Sequence, residues 1–293
     1  MSRTFNLRST VAASFAAIVA AMGVAPAEAA VVISYPGFTG ACGGGGLTCV
    51  GNTAVTGGAL RLTPAATGRA GAGYSTTAIA LGAGATFSTT FQFLITNRGG
   101  IAPADGLTFV VAAATAGLGG VGGGMGYLGV PNSVAVEFDT FNNGEVGGSN
   151  HVAVDTNGAL NGTGVSPYGV SSCTSNFGYV FGCMSNGDIW TATIDYDGST
   201  NRLDVYVQDG GSAVQHIING MSINVGALLG TTSAFVGFTS ATGAGFANHD
   251  ILNWRLANDR SLGTPPGVPE PGSLALVGAG LLGAAWVRRR RNA

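Results

Sequence analysis

At 293 residues the chain has room for one large domain or two small ones. Only 9% of it is charged, it has no lysine, and it carries 51 glycines, a composition that fits a glycine-rich, β-heavy exported protein and argues against a cytosolic enzyme. Six of the twelve basic and two of the fourteen acidic residues lie in the two termini, so residues 31–267 carry six basic and twelve acidic groups, a net of about −6 that would repel a nucleic acid.

Arg3 and Arg8 precede an apolar run, Val11 to Val24, that closes on Ala-Glu-Ala-Ala at 27–30. A basic start, an apolar middle and small residues at the cut define a secretory signal peptide over residues 1–30. The run is short for an anchor, and its end is built for cleavage.

Between this leader and a linker at 259–267, which contains Pro265 and Pro266, the pattern predicts one β-domain over 31–258. Cys42 and Cys49 bracket a glycine-rich loop; Cys173 and Cys183 bracket an aromatic one. In an oxidising compartment two local disulfides are the simplest of the three connectivities. A four-cysteine zinc site fits poorly, because neither pair has close metal-ligand spacing.

Residues 85–96, ATFSTTFQFLIT, alternate phenylalanine with polar side chains and read as a strand. The more continuous apolar run at 106–114 predicts a central strand. The stretch GLGGVGGGMG at 117–126 reads as a loop whose backbone turns tightly or approaches a partner closely. Residues 189–209 are two alternating runs around Asp-Gly-Ser-Thr-Asn, a hairpin signature. Further strands follow at 233–243 and 249–257. No segment before the tail has a helical period, and many short strands with glycine-rich turns predict an all-β fold, an antiparallel β-sandwich.

The informative stretch is SVAVEFDTFNN, 133–143. On a strand, side chains two apart share a face, so Ala135, Glu137, Asp139 and Phe141 point one way. Two neighbouring carboxylates repel and resist burial. A bound cation resolves the conflict; a solvated outer face is the alternative that this stretch alone leaves open. Carboxylates, an asparagine amide and a backbone carbonyl suit calcium. Adding an imidazole suits a transition ion such as manganese. Asn142, Asn143, Glu145, Asn150 and His151 are the next polar groups. His249 reads as packed or locally hydrogen-bonded, His216 as an isolated surface residue, and Asp195 and Asp197 as flanking a turn rather than forming an EF-hand.

VAVEFDTFNN followed by NHVAVDTNG resembles the metal-binding segment of the legume-type (L-type) lectins, in which E-x-D-T-[FY]-x-N leads to a later Asp and His. SYPGF, GRAGAGYST, ATFSTTFQFLIT, IAPADGLTFVV, GYLGV, WTATIDYDGSTNRLDVYV and GFTSATGAGFANHDILNWRL are similar to the family in the same order, over roughly 32–257. The resemblance implies a jelly-roll, concanavalin-like sandwich and a carbohydrate-binding protein. Glu137, Asp139 and His151 match manganese-type ligands; Asp139, the Phe141 carbonyl and Asn143 match calcium ligands. The loop NNGEVGGSNH has Gly and Val where the family has Asp-Pro, so Glu145 stands as the substitute carboxylate. Asp105, Gly126 and Asn143 match the sugar-binding Asp, loop Gly and Asn, with Phe141 as aromatic platform. Phe246 and Asn248, in the loop matching the family's variable specificity loop, are further candidate contacts. The resemblance also implies a cis Ala104–Asp105 peptide and, since the family often pairs through flat back sheets, a homodimer among its partners.

Retaining glycoside hydrolysis needs a second acid. The sandwich hydrolases supply it in E-x-D-x-E or a one-residue variant, and here Phe141 and Asn142 occupy those places. The expectation is a binding protein, not an enzyme; the alternative is a matrix or envelope protein that kept the fold and lost its ligands.

The tail, 268–293, runs Pro269-Glu270-Pro271, an apolar stretch from Leu274 to Val287, and Arg288 to Arg291. It resembles the PEP-CTERM sorting signal of Gram-negative bacteria. That implies transient anchoring in the inner membrane, processing by an exosortase-type enzyme, and a destination at the cell surface or in an exopolysaccharide matrix. The stretch is short for a full span, and the arginines would stay cytoplasmic.

Overall fold

The computed structural model describes residues 31–115, 117–144, 148–160, 168–169, 183–258 and 262. Within them the chain forms two eight-stranded antiparallel sheets packed face to face. The first sheet runs, in spatial order, β14 (Gln215–Ser222), β13 (Arg202–Asp209), β12 (Trp190–Asp197), β7 (Thr86–Gly100), β16 (Gly245–Ala257), β4 (Ala59–Thr63) and β3 (Ala54–Thr56), with β1 (Val31–Tyr35) also paired to β16. The second runs β11 (Tyr168–Gly169), β10 (His151–Thr156), β9 (Ser133–Asp139), β8 (Gly106–Ala112), β15 (Ser233–Ala241), β5 (Ala70–Ser75) and β2 (Leu47–Gly51), with β6 (Ile79–Ala80) also on β15.

The alternation read in the sequence decides which side chains meet between the sheets. Along β7, Phe87, Phe91, Phe93 and Ile95 turn inward, while Thr90 and Gln92 are partly exposed. Phe91 contacts Phe238, Phe138 and Phe109 of the second sheet, with ring centroids at 4.8, 5.7 and 6.1 Å. Each such ring contributes about 2–3 kcal/mol by leaving water. The expected hairpin is β12–β13, and its turn is closed by Asp197, whose Oδ1 accepts from Ser199 N at 2.8 Å. The single described α-helix, α1 (Val225–Leu229), is capped by the Asn224 side chain, which accepts from Ala227 N at 2.9 Å.

The second sheet is buried on both faces, which is why β8 and β9 read as nearly continuous apolar runs. Its far face carries a smaller core of Ala72, Tyr74, Val110, Ala112, Tyr127, Val130 and Ala135. The glycine-rich loop after β8 covers that face and brings Tyr127 to zero exposure. Ser133 Oγ donates to the Val130 carbonyl at 2.7 Å, so the Tyr127 hydroxyl, 2.9 Å away, donates to Ser133 Oγ and accepts from Gly158 N at 3.2 Å; burial pushes its pKa up to about 12. The covering loop settles the question of the two acids: Glu137 and Asp139, 4% and 3% exposed, are buried beneath structure and not on a solvated face.

Cys42 and Cys49 form a disulfide. Cys183 is also disulfide-bonded, and its expected partner Cys173 lies outside the described residues. Among the described residues no helix is long and apolar enough to cross a membrane; the expected signal peptide and the sorting tail lie outside them.

Candidate functional site

The site grows from the pairing of β9 with its neighbours. Asp139 stands opposite His151 of β10 on one side and Gly106 of β8 on the other. The register therefore delivers Asp105, which immediately precedes β8, to the same end of the sheet as the acidic pair. One ligand atom each from Glu137, Asp139 and His151 lie within 4.8 Å of one another, and all three residues are buried.

The His151 ring is fixed at both nitrogens. Nδ1 is 2.7 Å from the Gly148 carbonyl, which can only accept, so Nδ1 carries the proton. In the neutral ring Nε2 then presents a lone pair to Glu137 Oε1, 3.0 Å away. Two acceptors at that distance call for a proton or a cation between them. An imidazole oriented by a carbonyl, with its other nitrogen beside two carboxylates, is the arrangement of a metal-binding histidine. The donor set thus fits a cation.

Asp105 is tied to this cluster through backbone. Thr140, directly after Asp139, donates to the Asp105 carbonyl from both N (2.9 Å) and Oγ1 (3.0 Å). Asp105 N donates to the Ala241 carbonyl at 3.1 Å, and the Ala104–Asp105 peptide is cis, as the family resemblance implies. The 3₁₀ turn Gly122–Gly124 and the loop at Gly243 close over Asp105. A Cβ built on Gly243 would lie 3.5 Å from Asp105 Oδ2, and one on Gly122 4.0 Å from it. One on Gly123 would collide with the Asn143 side chain at 2.5 Å. Asp105 and Asn143, 38 positions apart, are thus brought to one glycine turn. Phe141, half-buried, sits beside them, its N donating to Asp139 Oδ1 at 2.6 Å.

The Gly126 amide donates to the Gly120 carbonyl at 2.9 Å, so it is committed inside the loop. Gly122, Gly123 and Gly243 are the glycines that face Asp105 and Asn143; the sequence signalled them only as a glycine-rich stretch and a short loop. Asn248 is 4% exposed and its Oδ1 accepts from Ala65 N at 2.6 Å. Phe246 packs its ring over Gly99, its ladder partner on β7. Glu145 lies outside the described residues. His216 is not isolated: Nε2 is 2.8 Å from Asp204 Oδ1 and its ring stacks on Tyr206 at 4.2 Å. His249, expected to pack or bond locally, is fully buried, with Nδ1 2.8 Å from Thr63 Oγ1.

The legume lectin domain family matches residues 31–266, and the PEP-CTERM protein-sorting motif matches 267–291. An L-type lectin-domain containing receptor kinase of Arabidopsis thaliana is 31% identical over 193 residues, 63% of this chain but only 26% of the kinase, so the chain spans about a quarter of that relative's length. A lectin of Leucomphalos mildbraedii is 30% identical over 181 residues, 58% of this chain and 68% of that one. Among solved structures, the Bauhinia forficata lectin in complex with GalNAc aligns with a TM-score of 0.64 at 22% identity, over 77% of this chain and 96% of that chain. Lectin I-B4 of Griffonia simplicifolia, in a metal-free form, aligns with a TM-score of 0.64 at 24% identity, over 78% and 99%. These structures share the sandwich. The sorting motif marks an exported protein of the cell envelope or surface. The match over 31–266, a range that includes the acidic cluster and Asp105, shows that the chain belongs to the legume lectin domain family.

Proposed function

We propose that this exported chain is a carbohydrate-binding lectin whose sugar site is built on Asp105 and Asn143 and shaped by bound cations. Glu137, Asp139 and His151 would hold a manganese-type ion; Asp139, the Phe141 carbonyl and Asn143 would hold calcium. Such cations neutralise the buried carboxylates and fix the turn from Asp139 to Asn143. The chain's own groups make the sugar contacts. Asp105 accepts hydrogen bonds from sugar hydroxyls, strengthened by its charge. Asn143 donates, and Phe141 packs against apolar C–H faces.

The observation that carries the reading is the pair of hydrogen bonds that Thr140 donates to the Asp105 carbonyl, which couples the acidic cluster to the proposed sugar-binding carboxylate. The rim supports it. Five large apolar side chains are exposed among the described residues. Three of them, Ile101, Val121 and Leu128, stand on the two loops that frame Asp105, where they would meet apolar sugar faces or substituents. The same reading makes the chain a binding protein without catalysis, placed at the surface or in the exopolysaccharide matrix of a Gram-negative bacterium after passing the inner membrane.

The test is calorimetric titration with calcium and manganese before and after chelation, followed by a glycan array on both forms. Saturable metal binding and chelator-sensitive glycan binding, absent in Asp105→Ala, are expected. A folded chain that binds neither overturns the reading and leaves a structural matrix role.

A further inference from the structure

His249 is a fully buried titratable residue that the sugar site does not use. It lies on β16 of the first sheet, paired with Thr63 of β4. Its Nδ1 is 2.8 Å from Thr63 Oγ1, and Thr63 Oγ1 is 3.2 Å from Ser240 Oγ on β15 of the second sheet. Ser240 Oγ donates to the Gly106 carbonyl at 2.7 Å. Thr63 and Ser240 are also fully buried, so the contacts cross the sandwich interior from one sheet to the other.

The direction of these bonds follows from what each atom can do. The Gly106 carbonyl only accepts, so the Ser240 proton is spent on it. The Thr63 hydroxyl then has two neighbours: Ser240 Oγ, which now offers lone pairs, and His249 Nδ1. His249 Nε2 is buried with no hydrogen-bond partner. A proton on Nε2 would be an orphaned buried donor, which folded proteins avoid. A proton on Nδ1 leaves Nε2 as a bare lone pair, and every other proton in the chain finds an acceptor. Burial lowers the ring's pKa from 6.5 to about 3, in keeping with a neutral imidazole.

We propose that His249 is a positioning residue for Asp105, the head of a one-way chain of hydrogen bonds from Nδ1–H to Thr63 Oγ1, Ser240 Oγ and the Gly106 carbonyl. Aligned bonds of this kind polarise one another. They add a third anchor to the Asp105–Gly106 segment, beside Asp105 N on the Ala241 carbonyl and Thr140 on the Asp105 carbonyl. The segment has little slack, since a Cβ on Gly106 would lie 2.3 Å from the Phe138 carbonyl. The role in sugar binding rests on the reading of Asp105 given above; the hydrogen-bond chain does not.

The experiment uses the full chain with ¹⁵N-labelled histidine. NMR is expected to show a neutral His249 ring protonated at Nδ1, with an unprotonated Nε2. Amide hydrogen exchange is then followed in Ser240→Ala, His249→Leu and His249→Asn. Loss of the chain in Ser240→Ala and His249→Leu is expected to speed exchange at Asp105 and Thr140 by about tenfold relative to β12 and β13, as local opening becomes easier. His249→Asn, whose amide replaces the Nδ1 donor, is expected to restore protection. A ring protonated at Nε2 overturns the proposal. So does unchanged protection at Asp105 and Thr140 in Ser240→Ala, which removes only a hydroxyl and tests the claim even if His249→Leu does not fold. Neither readout uses a glycan, so failure of the lectin reading on the array is seen separately.

Discussion

The pair formed by Glu137 and His151 shows how a single residue's surroundings decide its chemistry. With Nδ1 committed to Gly148, Nε2 faces a carboxylate across 3.0 Å in a buried site. Glu137→Gln replaces one of the three clustered ligands with a weaker donor. Affinity for manganese is expected to fall by about a hundredfold or more, measured by calorimetry, with the far-ultraviolet dichroism unchanged. His249 gives a second prediction at this scale. Desolvation lowers its pKa from 6.5 to about 3 in the native state. The unfolded chain takes up the proton below its higher pKa, the native chain only below the lower one. In that window the unfolded state binds more protons, so stability falls as pH falls and the loss levels off below about 3. The slope of Tm against pH between about 6 and 4, measured with chelator present, is expected to be shallower in His249→Asn than in the native chain.

At the scale of elements, the loop between β8 and β9 does two things. It covers the outer face of the second sheet with Tyr127 and Val130, and it lays Gly122–Gly124 against Asp105 and Asn143. These separate experimentally. Tyr127→Phe removes the hydroxyl that bonds Ser133 Oγ and accepts from Gly158 N, and is expected to cost about 1–3 kcal/mol in urea unfolding. Gly123→Ala leaves that core alone but drives a methyl into the Asn143 side chain. Glycan affinity is expected to drop by about tenfold, a loss near 1.4 kcal/mol, with Tm nearly constant. The strands were legible because alternation reports burial directly: the Phe87–Ile95 and Trp190–Val207 patterns both carry through to the core. The loop's docking was not, since glycine reports only where a backbone bends or comes close, not what it approaches.

For the whole molecule, the sandwich interior supplies the stability, and the acidic cluster opposes it unless a cation is bound. Calcium and manganese at about a hundred times their dissociation constants are expected to stabilise the chain by about 2.7 kcal/mol per independent site, read as a rise in Tm that EDTA reverses. By itself the sequence determined the sorting tail, the all-β class, the inward phenylalanines and the neighbouring acids Glu137 and Asp139. Each of these is a local pattern of charge, length or period two. Only the tertiary structure decided which distant residues meet. It bonded Asn248 to Ala65 and the Gly126 amide to Gly120, and put Gly122, Gly123 and Gly243 beside Asp105 and Asn143. It also set His249 at the start of a buried path to Gly106. The reason is physical: strand register and sheet packing fix neighbours across tens to hundreds of residues, and a residue's own sequence surroundings carry no record of the partner on the opposite sheet.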